Sequence, residues 1–180
     1  MAKLFDSITP QLEAWIKQQH LFFVASAPLS ADGHINCSPK GLDSFRIIDE
    51  HTVAYQDLYG SGVETIAHLN ENKRIVIMFC AFDGPPKIVR LHGTGEAIFE
   101  THTDFESLRQ QFPARRAIRS IIRITLGRIS DSCGYGVPLM DYKSDRDVLD
   151  KWQAAKTDAQ MQEYRLFKNA KSIDGLDGLK

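Results

Sequence analysis

The feature that most constrains this chain is a series of strand-like segments joined by very short connections. Arg74 to Ala81 is apolar almost without interruption, as suits a strand covered on both faces. Gly84, Pro85 and Pro86 make a turn, and Lys87 to Phe99 then alternates. Val89, Leu91, Ala97 and Phe99 face one way; Arg90, His92, Thr94 and Glu96 face the other. Ala117 to Ile129 alternates again, with Ile118, Ile122, Ile124 and Leu126 on one face and Arg119 and Arg123 on the other. Strands so closely connected pair antiparallel.

The flanking segments extend the pattern. Thr9 followed by Pro10 marks a helix start, and Ile8, Leu12, Trp15 and Ile16 form one apolar stripe behind it. Leu21 to Ser26 reads as a buried strand, with Asp32-Gly33 turning into a second around His34 to Ser38. Phe45 to Ile48 and Thr52 to Gln56 are two more, parted by Asp49, Glu50 and His51. Ser61 to Glu64 has capping-box spacing ahead of a helix through Ile66 and Leu69, and Thr103 to Glu106 opens another to about Gln111. Ser144 with Asp147, and Thr157 with Gln160, predict two C-terminal helices whose buried faces use Val148, Leu149, Trp152, Met161, Tyr164 and Phe167. The tail, Ser172 to Lys180, holds two glycines and is expected to be ordered only by docking. These elements predict one domain over residues 1–180, mainly β. They make a six- to seven-stranded antiparallel barrel or sheet over about residues 20–135, with short flanking helices and C-terminal helices over about 145–170.

Charge and cysteine content narrow the function. Lys and Arg number 22 against 23 Asp and Glu, so no global field recruits nucleic acid or an acidic membrane. The local cluster Arg115, Arg116, Arg119, Arg123 and Arg128 lies among isoleucines without aromatic residues for base stacking, and reads as a strand with one charged face. Cys37, Cys80 and Cys133 are scattered, which argues against a disulfide framework and for a reducing compartment. Asp6 and Glu13 interrupt the N-terminal apolar residues, and the run Ile75 to Phe82 is too short to span a bilayer. The expectation is a cytoplasmic protein. Six histidines show no HxH, HExxH or Cys/His ligand spacing, so no metal site is predicted. No nucleophile elbow supports covalent hydrolysis, and no catalytic acid or base stands out.

The candidate ligand site is Tyr59-Gly60-Ser61-Gly62-Val63-Glu64-Thr65, at the junction of a strand and a helix. A helix N-terminus offers unpaired N–H groups to an anion, glycines let it approach, and Ser61 and Thr65 add hydroxyls. The alternative is that Gly60 turns the chain and Ser61 merely caps the helix. Arg90 is a second anion candidate, or else a barrel-mouth ion pair with a carboxylate such as Glu96. Lys40, in a turn after a strand, reaches a phosphate or is simply solvated. Ser132 to Pro138 is either the floor of a pocket or a turn.

In order, the leading helix, Leu21-Phe22-Phe23-Val24-Ala25-Ser26, His34-Ile35-Asn36-Cys37-Ser38-Pro39-Lys40-Gly41, the Gly-Ser helix start, Leu69 to Phe79 and Lys87 to Ala97 resemble one family. It is the pyridoxamine 5'-phosphate oxidase-like FMN-binding split barrel, and the resemblance spans about residues 10–130. Ser132 to Tyr142 and Asn169 to Leu179 look like a branch of uncertain biochemical role. The resemblance implies a split barrel, a homodimer with FMN between subunits, and an FMN-dependent oxidoreductase acting on a small molecule. The alternatives are a flavin-storing protein without a substrate, or a split barrel that takes haem or a deazaflavin. The cofactor-binding residues it suggests are Lys40, Ser61, Gly62, Thr65 and Arg90. The departures are equally specific. Glu64 and Thr65 stand where the oxidase has an Arg-Lys pair on the phosphate, and Ile88 replaces a flavin-touching glutamine. Ser172 to Leu176 offers no counterpart to the Arg and His that grip the oxidase's substrate. Pyridoxamine phosphate oxidation is therefore not expected.

Overall fold

The computed structural model describes residues 3–116 and 118–179. Ala117 and Lys180, which the sequence reading placed in a strand and in the tail, lie outside the described residues. The strands are β1 Leu4–Phe5, β2 Phe22–Ser26, β3 Asn36–Lys40, β4 Phe45–Asp49, β5 Thr52–Leu58, β6 Arg74–Cys80, β7 Ile88–Ile98 and β8 Ile118–Ser132. The helices are α1 Pro10–Lys17, α2 Glu64–Asn72, α3 Phe105–Arg109, α4 Val148–Ala154 and α5 Asp158–Asn169. The strands form one antiparallel sheet in the order β3-β2-β6-β7-β8-β5-β4, and β1 also pairs with β8. Fold class is as expected, a mainly β split barrel with helices at its C-terminus.

The sheet rolls on itself. Strands β3 and β5 stand far apart in the hydrogen-bonded order, yet Lys40 Nζ lies 3.8 Å from Asp57 and 5.5 Å from the Tyr55 ring centre. Phe22 of β2 meets Phe45 of β4 and Tyr55 of β5 at centroid distances of 5.3 and 5.8 Å. The barrel stays open along the seam between β3 and β4, which do not pair. Its interior is filled by residues such as Val24, Val53, Tyr55, Ile77, Phe79, Val89, Leu91, Ile122 and Ile124. A second cluster, Ala54, Ile98, Phe105, Leu108, Phe112 and Ile121, sits under α3.

Local signals were kept unevenly. Thr9 caps α1 and Pro10 occupies its first turn; Thr157 and Gln160 make a full capping box on α5. The other three cap assignments are corrected. Helix α2 begins at Glu64 with Val63 at its N-cap, so Ser61 lies outside the helix and does not cap it. Asp104 precedes α3 without a side-chain cap, its carboxylate being taken by Arg123 at 2.7 Å. Asp147 precedes α4, not Ser144, and pairs with Lys151. The expected buried faces of α4 and α5 hold for Met161, whereas Val148 and Phe167 are exposed.

Candidate functional site

Strand β3 turns Asn36, Ser38 and Lys40 to one side, because successive side chains of a strand alternate. Lys40 pairs in register with Phe22, whose ring belongs to the barrel interior, so its side chain enters the barrel rather than pointing to solvent. There it meets Asp57, on β5 two residues after the buried Tyr55. A register shift between Asp57 and Leu58 disturbs the pairing with β8 and brings Arg119 and Ser120 to the same carboxylate. Arg119 Nε donates to Asp57 Oδ2 at 2.7 Å and Nη2 to Oδ1 at 3.1 Å, while the Ser120 hydroxyl donates to Oδ2 at 3.3 Å. Burial alone would raise the Asp57 carboxyl. The charges of Arg119 and Lys40 and the hydrogen bonds from Arg119 and Ser120 together outweigh it and hold the group below the usual carboxylate range. The charged trio Lys40, Arg119 and Asp57 thus carries one net positive charge.

Arg119 departs from the reading of β8 as a strand with one continuous charged face. It is 7% exposed, because the shift in register turns it inward. Its third contact reaches the candidate ligand loop: Nη1 donates to the Gly62 carbonyl at 2.5 Å. Thr65, in the first turn of α2, is buried and accepts a hydrogen bond from Asn36 Nδ2 at 3.0 Å; Ser38 Oγ donates to Asn36 Oδ1 at 2.9 Å. One polar network therefore joins β3, β5, β8 and the start of α2. Lys40 is the cation of this trio with water access, its side chain being 23% exposed against 6% for Arg119.

The five sequence candidates divide accordingly. Lys40, Gly62 and Thr65 belong to this network. Ser61 is exposed in the loop beside it. Arg90 does not join them: it follows the interior residue Val89 on β7, points to the outer side of the sheet, and donates to Ser132 Oγ at 3.0 Å. Glu96, the suggested partner of Arg90, instead binds Arg123 at 2.7 Å. Sequence reasoning missed Asp57, Arg119 and Asn169, whose buried Nδ2 donates to the Gly60 carbonyl at 2.9 Å. A carboxylate shortly after the apolar Val53, Ala54 and Tyr55 of β5 was the available signal for Asp57; nothing local marked the other two.

Clefts lie near the network but do not contain it. A cavity of about 370 Å³ sits at the open seam, lined by His20, Phe22, Gly41, Ser44, Phe45 and Phe79. Gly41, next to Lys40 in the chain, is where cleft and network approach each other. Val137 N–H closes a turn on the Gly134 carbonyl at 2.9 Å, and Cys133 and Tyr135 help line a cleft with Trp15 and Lys87. Gly134 has φ +65°, and a Cβ there would lie 2.9 Å from the Lys87 backbone nitrogen, so the turn calls for glycine.

A profile of the Pyridoxamine 5'-phosphate oxidase family matches residues 8–133, the barrel with its leading helix. The chain belongs to this family. A relative, the Pyridoxamine 5'-phosphate oxidase family protein ustO of Aspergillus flavus, is 37% identical over 196 residues, which cover 99% of this chain and 78% of that protein. Among solved structures, a HupZ variant of Group A Streptococcus is 26% identical with a TM-score of 0.57, over 69% of this chain and 99% of that one. The FAD binding protein of Mycobacterium smegmatis shares the fold at 12% identity and a TM-score of 0.50, over 72% of this chain and 97% of its own. The buried Asp57–Arg119 pair thus holds the loop that leads into Glu64 and Thr65 of α2. Among the described residues no helix is long and apolar enough to cross a membrane.

Proposed function

We propose that this chain is an FMN-binding flavoprotein of the pyridoxamine 5'-phosphate oxidase family that works as an oxidoreductase on a small molecule, as a homodimer. The observation that carries the reading is Lys40, a partly exposed ammonium held over Tyr55 and beside Asp57, and linked through Asp57 and Arg119 to the loop that starts α2. A flavin phosphate needs a cation and several donors. Lys40 offers three N–H donors, Thr65 a hydroxyl, and the start of α2 its unpaired backbone amides. These residues fit a phosphate, although Glu64 brings one opposing charge in place of a basic residue. Ser61 would extend the donor set from the loop. Arg90, on the outer face of the sheet, would join the site only if a second copy presented its ligand there. FMN, when bound, supplies hydride or electron exchange; the residues here bind and orient it.

The absorption spectrum of the purified protein tests the reading first. Flavin bands bleached by NADH or NADPH support an oxidoreductase, and flavin bands without turnover support a binding or storage protein. A Soret band or a deazaflavin spectrum would replace FMN as the ligand. Sedimentation tests the assembly: a species twice the 20.3 kDa chain mass supports the dimer, and a monomer at micromolar concentration rejects it.

A further inference from the structure

We propose that Asn169, with the tail that follows it, is a positioning element for the ligand loop before α2, so that ligand affinity at this loop depends on a residue far from it in sequence. The inference rests on the reading of that loop as an anion site. Asn169 ends α5 and is fully buried. Its Nδ2 donates to the Gly60 carbonyl at 2.9 Å and, more weakly, to the Gly62 carbonyl at 3.5 Å. Arg119 holds that same Gly62 carbonyl from the barrel side. The loop is therefore gripped from two directions, by a guanidinium anchored on Asp57 and by an amide anchored on the tail. A loop with two glycines has much backbone freedom to lose, and both grips remove it before a ligand arrives.

The tail is built to keep Asn169 in place. It closes on itself: Gly178 N–H reaches the Ala170 carbonyl at 3.1 Å, Ser172 N–H reaches Leu176 at 2.9 Å, and Lys171 pairs with Asp177 at 2.6 Å. It is then fastened to three further places. Asp174 accepts from the His34 backbone at 2.8 Å and lies 2.6 Å from His34 Nδ1, just ahead of β3. Glu64 Oε1 accepts from the Ile173 backbone at 3.3 Å, and Asn70 donates to the Asp177 carbonyl at 3.2 Å. Gly178 rests on Val63, the N-cap of α2, so closely that a Cβ there would collide with it. The tail thus touches the segment just ahead of β3 and the helix α2, and Asn169, which precedes it, holds the loop between β5 and α2.

The test compares Asn169→Ala and Asp174→Asn with Leu108→Ala, which loosens the separate cluster under α3. Hydrogen exchange of the amides of residues 60–65 reads the loop directly, and FMN titration into apo-protein, well below each variant's melting temperature, reads the site. Asn169→Ala is expected to speed exchange at 60–65 and weaken FMN about tenfold, the size of one lost hydrogen bond. Asp174→Asn should do the same more weakly, and Leu108→Ala should do neither. Unchanged exchange in Asn169→Ala overturns the proposal, as does faster exchange with unchanged FMN affinity. Equal effects from Leu108→Ala would reduce it to general stability and overturn it too. If the wild-type protein takes no FMN, the flavin reading fails, and exchange alone still decides whether the tail holds the loop.

Discussion

Replacing Arg119 with alanine is the perturbation whose consequence the structure fixes most fully. The side chain makes two hydrogen bonds to Asp57 and one to the Gly62 carbonyl, and both charged partners are at least nine-tenths buried. Without it, Asp57 keeps only the Ser120 hydroxyl at 3.3 Å and the Lys40 ammonium at 3.8 Å. Breaking a buried pair by removing one partner costs about 3–5 kcal/mol, because the remaining charge stays buried without its counter-ion. At roughly 2–4 °C per kcal/mol for a domain of this size, the melting temperature should fall by about 6–20 °C. Replacing both partners with apolar residues of similar volume, Asp57→Leu with Arg119→Met, should cost much less than the two single changes added together. Thermal and urea unfolding followed by circular dichroism measure all four proteins. An Arg119→Ala variant within about 1 kcal/mol of wild type, or a double variant that is simply additive, would refute the claim that this pair acts as a buried unit.

Two further outcomes follow from the same structure. Burial holds the His68 imidazole below its ordinary range, with Asp174, Glu64 and Glu71 offsetting part of the shift. Its contribution to stability is therefore complete above about pH 6.5 and lost as pH falls from there through the folded value, so stability should decline as pH drops below about 6.5 and decline less in His68→Gln. Asp57 adds its own loss only below about pH 4, which keeps the two separable in a pH series of urea midpoints. Pyridoxamine 5'-phosphate should give negligible peroxide, because the tail at Ser172 to Leu176 is used to fasten itself to His34 and Glu64 and offers no Arg or His to a substrate phosphate; robust turnover would refute this.

Most of the barrel was legible because its strands obey local rules. The alternation over Lys87 to Phe99 and the unbroken run from Arg74 predicted β7 and β6 within a residue or two at each end. Thr9-Pro10 and Thr157 to Gln160 predicted helix starts from chemistry contained within a single turn. The failures share one physical origin: they depend on partners distant in sequence. Ser61 has the spacing of a cap, but the loop carbonyls around it are held by Arg119 and Asn169, and the helix starts three residues later. Asp104 has a cap's position, but Arg123 takes its carboxylate. The inward turn of Arg119 follows from a register shift against β5, which no periodicity along β8 alone can encode. Lys40 reads as a turn residue after a strand, whereas it is the last residue of β3 and the pairing with Phe22 turns it inward; Arg90 was grouped with it although the pleat puts the two on opposite faces of the sheet.

The central claim, a flavin phosphate recognised at Lys40 and the α2 loop, is tested most directly by calorimetric titration of FMN into apo-protein of the wild type and of Lys40→Ala. The account predicts saturable binding by the wild type, one FMN per chain. It predicts affinity reduced about ten- to a hundredfold in Lys40→Ala, the loss of one hydrogen bond to a charged group. Saturable binding with equal affinity in both proteins would contradict the site, and no binding by the wild type would contradict the flavin itself.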